Sequence, residues 1–269
     1  MHGLIDSHCH VDFPQFDASR DEVLRACHQN GMSAILVPGV TLAQWPRLSE
    51  VIHAYPDVTH YPRLLPAYGL HPCFMADHAA ESTAGLMARL DAQLAEEAGC
   101  VVAVGEIGLD SFHSTADLKQ QVTLFEAQLR IAGSHGLPVI IHSRKTQDLV
   151  LKSVRKQRFS FGGILHAFSG SLQQAQQAVD LGFKIGFGGA ATYERASRLR
   201  GMLKALPREA IVFETDAPDI PPSFARDRPN SPFNLFRIVE ILAQVRQESV
   251  ADLLEYSSKN LIGVLNLAD

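Results

Sequence analysis

The 269-residue sequence predicts a (β/α)₈ barrel of the TIM type, in the α/β class. Short apolar runs rich in β-branched residues recur about every 25–40 residues, with helix-patterned stretches between them, which is typical of βαβ units. Eight such runs match the number of strands in a closed barrel. An open doubly wound sheet is the structural alternative, but it gives no reason for eight strands. We therefore expect one barrel domain over residues 1–269.

The pattern places each strand and several helix boundaries. The predicted strands cover residues 4–10, 34–39, 64–70, 101–108, 138–142, 163–167, 183–187 and 211–215. Capping residues mark helix starts and glycines mark helix ends. The signals are Ser19 with Glu22 and Gly31 for a first helix, Ser171 with Gln174 and Gly182 for a second, and Ser231 with Pro232 for a third. An amphipathic helix near residues 250–265 is expected to pack on the outside of the barrel.

Bulk composition narrows the class of function. The formal net charge of −5 argues against a protein that coats nucleic acid through bulk electrostatic attraction. It does not exclude an enzyme that binds the end of a nucleic acid strand at one local site. Residues 1–10 lack the features of a signal peptide, and no apolar run approaches the roughly 18 residues of a membrane span. The four cysteines form no CxxC pair, which disfavours disulfides and thiolate zinc sites. We expect a cytoplasmic protein with no membrane partner and no obligate protein partner.

A His-x-His pattern closes the first predicted strand. His8 and His10 lie two residues apart, so on a strand both side chains point into the barrel, whereas Cys9 points outward. Two neutral imidazoles on one face suit a divalent ion such as zinc. Taken alone, the pattern fits a pair of ordinary polar strand-end residues equally well.

Four further residues with side chains that can bind a metal lie at the ends of other apolar strands. Glu106 ends the fourth, His142 the fifth, His166 the sixth, and Asp216 follows the eighth. The carboxyl ends of all barrel strands surround one mouth, where active sites lie. Any one of these residues alone is better explained as a cap or a loop contact. Together with His8 and His10, however, the set would be costly to bury without cations, so the sequence predicts a metal site.

The number of candidate ligands indicates more than one ion. Six exceed the three or four protein ligands that a single zinc usually takes. Two divalent ions about 3.5–4 Å apart, bridged by a carboxylate and a water, would use the set more fully. Zinc is the preferred identity, with manganese or magnesium as alternatives.

The stretches that carry these residues resemble the TatD family of metal-dependent deoxyribonucleases. They are Asp-Ser-His-Cys-His at 6–10, Gly-Leu-His-Pro at 69–72, Gly-Glu-Ile-Gly-Leu-Asp at 105–110, Ile-His-Ser-Arg at 141–144, His-Ala-Phe-Ser-Gly-Ser at 166–171 and Glu-Thr-Asp-Ala-Pro at 214–218. Gly-Gly-x-x-Thr-Tyr at 188–193 and Asp-Ala-Pro-Asp at 216–219 are most similar to its YjjV-like branch. The resemblance extends from about residue 4 to residue 260.

The resemblance implies a division of the ligands and a substrate class. Glu106 would bridge the two ions. His8 and His10 would complete one site with Asp216, and His142 and His166 would complete the other. The implied reaction is phosphoester hydrolysis on DNA ends or a small phosphodiester. Ser111, Ala167 and Asp219 replace residues common in the family, and none of these changes removes a ligand.

Supporting residues are expected around the ligands. His71 ends the third strand and would donate a hydrogen bond to a phosphoryl oxygen, or else serve as a structural loop histidine. The planar guanidinium of Arg144 can form two parallel hydrogen bonds with a phosphate. Alternatively, Arg144 forms a surface ion pair. Asp110 and Glu214 are expected to hold ligand histidines or to cap helices. With Glu106 and His71, Asp216 is a catalytic candidate, since it can orient or deprotonate the attacking water.

Two other functions compete with this hypothesis. One is a barrel hydrolase acting on amides, lactones or phosphotriesters. Many such enzymes bridge their metals with a carbamylated lysine on the fourth strand, whereas this chain has Glu106 and no lysine between residues 101 and 110. The other is a metal-binding scaffold without catalysis, which predicts bound metal and no turnover.

Overall fold

Eight parallel strands form the centre of the computed structural model, which describes residues 3–267. The strands are β1 (Leu4–Asp6), β2 (Met32–Pro38), β3 (Arg63–Tyr68), β4 (Ala103–Asp110), β5 (Val139–Arg144), β6 (Gly163–Leu165), β7 (Phe183–Phe187) and β8 (Ile211–Phe213). Each strand pairs in parallel with the next along the chain. Hydrogen bonds from Ser7 N to Phe213 O (3.0 Å) and from His10 N to Ala217 O (2.8 Å) bring the last strand beside the first. The predicted barrel and its eight strands are confirmed.

Nine α-helices are present within residues 3–267. They are α1 (Arg20–Gln29), α2 (Trp45–Ala54), α3 (Thr83–Glu96), α4 (Leu118–Ser134), α5 (Gln147–Gln157), α6 (Leu172–Asp180), α7 (Ser197–Ala205), α8 (Leu235–Arg246) and α9 (Val250–Val264). None of the helices in this part of the chain is both long and apolar enough to cross a membrane. The extent of the domain over the whole of residues 1–269 stays a prediction.

The predicted helix caps are formed in part. Ser171 accepts a hydrogen bond from Gln174 N and donates its own amide to the Gln174 side chain, so this capping box is confirmed. Ser19 precedes α1 but its hydroxyl accepts no capping hydrogen bond, so the first capping box is wrong. Its backbone (φ −132°, ψ −1°) lacks the extended conformation that aims a capping oxygen at the helix amides. Ser231 caps the short 3₁₀ helix Pro232–Asn234, and α8 begins only afterwards.

Alternating side chains on the strands build two apolar layers. Ile5, Leu36, Leu65, Ile140 and Val212 belong to a buried cluster inside the barrel. Their neighbours along each strand belong to a second cluster, which the strands share with the surrounding helices. This alternation follows the two-residue period of a strand. It leaves the barrel packed inside, so function is confined to its ends.

The last helix covers the end of the barrel at which the strands begin. Leu261 and Val264 of α9 join the interior cluster. Ser258 Oγ donates to Gly3 O (2.6 Å), and Asn260 Nδ2 donates to Ile211 O (2.8 Å), at the starts of β1 and β8. The helix packs on the barrel as expected, and its apolar face also closes the amino-terminal end. Within residues 3–267, the opposite end opens into a cavity.

Candidate metal centre

The segments after β1 and β8 run side by side at the carboxyl end of the barrel. β1 ends at Asp6, earlier than predicted, so His8 and His10 lie just beyond it. Cys9 forms an isolated parallel bridge with Ala217, and Asp216 N donates to His8 O (2.8 Å). Cys9 faces the outer layer, as the alternation predicts. These backbone contacts place both imidazoles beside the Asp216 carboxylate.

Glu106 lies inside β4, not at its end, because the strand continues to Asp110. The pairing of β4 with β5 shifts register between Val104 and Ile107. Ala103 belongs to the interior cluster and Ile107 to the outer one. In a regular strand Glu106 would share the outward face of Val104, so the irregularity is what directs its carboxylate inward.

His142 lies inside β5, opposite Gly108. Gly108 has φ 143°, and a Cβ at this position would lie 2.0 Å from His142 O. Any other residue would therefore separate the two strands at the position of this imidazole. His166 immediately follows β6, at the mouth that His142 also faces.

One half of the side-chain cluster contains the His-x-His pair. His8 Nε2 lies 3.2 Å from His10 Nε2, 3.2 Å from Glu106 Oε2 and 3.4 Å from Asp216 Oδ1. His10 Nε2 lies 3.5 Å from Glu106 Oε2 and 3.8 Å from Asp216 Oδ1. Four potential ligand atoms thus face one small volume.

The other half gathers around the second oxygen of the same glutamate. Glu106 Oε1 lies 2.7 Å from His166 Nε2 and 3.2 Å from His142 Nδ1. The two imidazole nitrogens are 3.3 Å apart. Glu106 therefore presents one oxygen to each half of the cluster, as a bridging carboxylate does.

Hydrogen bonds fix which imidazole nitrogens are free to bind a cation. His10 Nδ1 lies 3.2 Å from Pro38 O, which can only accept, so the Nε2 atom of a neutral His10 carries a lone pair. His142 Nε2 lies 2.9 Å from Asp110 Oδ2, so the Nδ1 atom of a neutral His142 likewise carries a lone pair. Lone pairs and carboxylate oxygens that face one another in a buried site repel unless a cation lies between them. The donor set, imidazoles and carboxylates, suits a divalent ion such as zinc.

The pKa values of the cluster also indicate that its carboxylates require positive charge nearby. Burial opposes the charged form of Glu106, but His166 and the other imidazoles hold the pKa of its carboxyl well below its usual range. Burial also opposes the charged form of His166, and Glu106 outweighs it, raising the pKa of His166 to about 10. Burial raises the pKa of Asp216 to about 6, although His166 and His10 lower it. The carboxylates thus need positive charge beside them, which protons or metal ions can supply.

His71 reaches the cluster from the segment after β3. Its Nδ1 accepts a hydrogen bond from Cys73 N (3.1 Å), and burial lowers the pKa of its imidazole. The ring is therefore neutral with its proton on Nε2, which lies 3.2 Å from Glu106 Oε1. His71 thus offers a hydrogen-bond donor to the mouth, and its Nε2 has no lone pair for a metal.

The cluster opens into a cavity of about 410 Å³. Arg144, the last residue of β5, lines this cavity together with Phe13, Phe74, Ser143 and Ser169. Its guanidinium lies 5.0 Å from the centre of the Phe112 ring. Among residues 3–267 no carboxylate lies within ion-pair distance of Arg144, so the surface ion pair considered as the alternative is absent from the described structure.

Asp110 and Glu214 support the cluster in different ways. Asp110 binds the ligand candidate His142 through Oδ2 and accepts the amides of Phe112 and His113 (2.6 Å each) through Oδ1. Glu214 Oε1 lies 3.9 Å from His166 Nδ1, too far for a hydrogen bond, and instead accepts the Ala167 amide. Burial raises the pKa of Glu214 to about 8.

Asp6 is a supporting residue that sequence reasoning missed. Its Oδ1 accepts the amides of His8 (3.1 Å) and Thr215 (3.0 Å), and its Oδ2 accepts the Thr215 hydroxyl (2.6 Å). This single buried carboxylate joins the ends of the first and last strands, from which His8 and Asp216 extend. A charged residue in a buried strand, two positions before His8, was the available signal.

Comparisons with known proteins agree with this architecture. The family model described as TatD related DNase matches residues 5–266. The metal-dependent hydrolase YjjV of Escherichia coli is 36% identical over 264 residues, 98% of each chain. Its crystal structure superimposes with a TM-score of 0.87 over 98% of both chains. A relative from Klebsiella pneumoniae, named 3'-5' ssDNA/RNA exonuclease TatD, is 31% identical over 91% of each chain.

The matches cover nearly the whole chain, and they include the strands and loops that form the cluster. The barrel, the inward-facing cluster and these matches lead to one assignment. The chain belongs to the TatD-related family, and it is a metal-dependent hydrolase of that family.

Proposed function

We propose that this hydrolase cleaves phosphodiester bonds of DNA, at strand ends, with a centre of two divalent ions, zinc by preference. The observation that supports two ions is the placement of Glu106. Its Oε2 faces His8 and His10, while its Oε1 faces His142 and His166. A single ion would leave one of these imidazole pairs without a cation. We also propose a cytoplasmic location, given the four free cysteines.

The chain's own residues would hold the ions in two groups. His8, His10 and Asp216, which converge within one small volume, would bind one ion. His142 and His166 would bind the other, and Glu106, which lies near both groups, would bind both ions. When bound, divalent ions lower the pKa of water and polarise phosphoryl oxygens. Asp110 holds the orientation of His142, and Pro38 O holds that of His10.

Three side chains would act on the substrate. Asp216 would orient the attacking water and accept its proton, since its Oδ1 faces the same volume as the Nε2 atoms of His8 and His10. His71 would donate its Nε2 proton in a hydrogen bond to a phosphoryl oxygen. Arg144 would contact a second phosphate oxygen or the next phosphate from the rim of the cavity.

The comparisons support a nuclease among the barrel hydrolases. The matched family is described as TatD related DNase, and the Klebsiella relative carries the name 3'-5' ssDNA/RNA exonuclease. The absence of lysine from β4 disfavours a carbamylated bridge of the kind found in many amidohydrolases. The test is turnover of single-stranded DNA, duplex DNA, RNA, a small phosphodiester and a lactone, each with zinc, manganese and magnesium. Turnover of the lactone alone, or of none, would refute the proposal.

We expect protein purified without chelator and fully loaded to contain about two divalent ions per chain. The reason is that the two imidazole pairs face different oxygens of Glu106, and a single zinc usually takes only three or four protein ligands. Elemental analysis by mass spectrometry, normalised to protein concentration, measures the ratio. A ratio that stays at one after supplementation with zinc or manganese would rule out the binuclear centre.

We expect His71→Ala and Arg144→Ala to lower phosphodiesterase activity while leaving the metal content near that of the wild type. Both side chains face the cavity, but neither offers a lone pair to an ion. Loss of one positioned donor or general acid costs about 10²-fold in rate, and we expect the larger effect for His71. Steady-state kinetics and metal analysis check both variants. If both variants had the kinetics of the wild type, His71 and Arg144 would have only structural roles.

A further inference from the structure

A second cavity, of about 570 Å³, lies beside the mouth of the barrel. The 3₁₀ segment Pro72–His78 and the starts of α3 and α4 contribute to its walls. Its volume is typical of small-molecule sites, which span about 300–1,000 Å³. Within residues 3–267, no residue lines both this cavity and that of the metal centre, so the two cavities are separate.

His78 lines this cavity and is buried without a hydrogen-bond partner for one of its ring nitrogens. The residue is 6% exposed, and its Nε2 atom has no partner within residues 3–267. Burial lowers the pKa of the imidazole against the opposing effect of Asp77 and Glu81, which favours the neutral ring. Buried polar atoms are nearly always paired, because an unpaired one destabilises the fold. An unpaired nitrogen on a residue that lines a cavity therefore indicates a ligand.

The other lining residues determine which kind of ligand the cavity favours. Met75, Leu86 and Leu124 contribute apolar side chains. Among the described residues that line the cavity, Glu81 carries a negative charge and none is a lysine or an arginine. Arg89 approaches Glu81 Oε1 at 3.5 Å, but both side chains are exposed, so this ion pair is weak. The cavity therefore disfavours a phosphate and favours a cation with an apolar body.

The same two chain segments separate this cavity from the metal centre. The segment Pro72–His78 lines the metal-centre cavity with Phe74 and the second cavity with Met75. The loop after β4 lines the metal-centre cavity with His113 and the second cavity with Thr115. A ligand in the second cavity would therefore press on walls that also enclose the metal centre.

Both segments are attached directly to residues of the metal centre. His71 immediately precedes the first segment along the chain. Asp110, which binds His142, holds the second segment by accepting the His113 amide (2.6 Å). The segments are joined to each other where Ser114 Oγ donates to Pro72 O (2.8 Å). A change in the second cavity can thus reach His71 over a few residues.

We propose that this second cavity binds a small amine with an apolar body, and that the bound amine acts on the metal centre through His71. The ammonium group would lie near Glu81 and donate a hydrogen bond to His78 Nε2, in the tautomer with its proton on Nδ1. The apolar body would contact Met75 and Leu124. This site is separate from the one that would bind a phosphodiester, so the inference does not depend on the proposed function.

The test is an NMR titration of the zinc-loaded protein labelled with ¹⁵N-histidine. The probes are 2-phenylethylamine, 2-phenylethanol and phenylacetate, which share one apolar body and differ in charge. The amine should shift the ring resonances of His78 in a saturable way, with the alcohol binding more weakly and phenylacetate more weakly still. His71 should shift with the same midpoint. His135, which binds Asp91 after the end of α4, should not shift.

Variants localise the binding to the cavity. Thr123→Trp should abolish the saturable shift of His78, because Thr123 is an exposed residue of α4 that lines the cavity and an indole would fill it. The matched control is Ser134→Trp, because Ser134 is exposed at the other end of α4 and its hydroxyl, like that of Thr123, donates to the helix backbone. This control should bind the amine like the wild type.

A charge variant tests the preference for a cation. Glu81→Gln should weaken binding of the amine about 1.4- to 5-fold, the range for one exposed ion pair, and leave binding of the alcohol unchanged. No saturable shift of His78 with the amine, equal affinity for phenylacetate, or a shift that persists in Thr123→Trp would overturn the site. Saturation at His78 without any shift of His71 would overturn the action on the metal centre. Each of these results is independent of whether the protein cleaves a phosphodiester.

Discussion

Asp216→Asn is expected to lower the turnover of a phosphodiester by at least about 10²-fold, the low end for loss of a general base. Asp216 Oδ1 lies 3.4 Å from His8 Nε2 and 3.8 Å from His10 Nε2, so its charge is part of the proposed centre. Asparagine keeps an oxygen at the same position but can neither carry the charge nor accept the proton. Steady-state turnover with saturating metal measures the effect.

The same variant should fold almost as well as the wild type. Asp216 has φ 57°, and asparagine is one of the few residues that adopt this left-handed conformation readily. The hydrogen bond from its amide to His8 O (2.8 Å) involves only the backbone and is retained. The melting temperature and circular dichroism spectrum should therefore stay near those of the wild type, so lost turnover would reflect chemistry.

Asp148→Asn is the matched control for this experiment. Asp148 lies at the start of α5, at the same end of the barrel, where its Oδ1 accepts from Gln174 Nε2 (2.8 Å), away from the cluster. Its activity should stay within about twofold of the wild type, as for a surface substitution. If Asp216→Asn retained activity with metal bound, Asp216 would serve only to cap its turn, and its proposed role as a base would be withdrawn.

The fold was predictable because each strand of the barrel is buried and bounded by turn residues. The bounds of β7 match the prediction for residues 183–187, where Gly182 and Gly188 flank an apolar run. The prediction extended β1 to residue 10, but the ladder ends at Asp6. Beyond that point the chain bends at Ser7 and His8, and Cys9 then forms an isolated bridge with Ala217. Alternation of side chains alone cannot distinguish such a segment from a continuing strand. The role of α9 in closing the barrel depends on tertiary packing, which helical periodicity does not encode.

The cluster was predictable because barrel order brings the strand ends to one mouth. The sequence could not explain why the side chain of Glu106 points inward, since this direction depends on the register shift between Val104 and Ile107. Regular alternation from Ala103 would have directed Glu106 outward. The hydrogen bonds of Asp6 were also missed, because they join residues more than 200 positions apart.

Glu106→Gln should have the largest effect on metal binding. Oε1 of this glutamate contacts His142 and His166, and Oε2 contacts His8 and His10. Glutamine has one ligating oxygen, so its NH₂ group must face one of the two imidazole pairs. An NH₂ group cannot bind a cation, and the negative charge shared by both ions is lost. We expect one of the two ions to be lost, and the other to bind more weakly.

The expected decrease in affinity for the weaker ion exceeds about 100-fold, the upper end of the effect of partners that only hold a ligand in place. Titration calorimetry with zinc after chelation measures both binding steps. Glu126→Gln is the matched control, because Glu126 is also largely buried (9% exposed) but contacts Ser153 and Lys156. The control should bind metal normally even if its melting temperature falls. Two normal binding steps in Glu106→Gln would show that Glu106 is not the bridge, and the ions would then have to bind through the imidazoles and Asp216 alone.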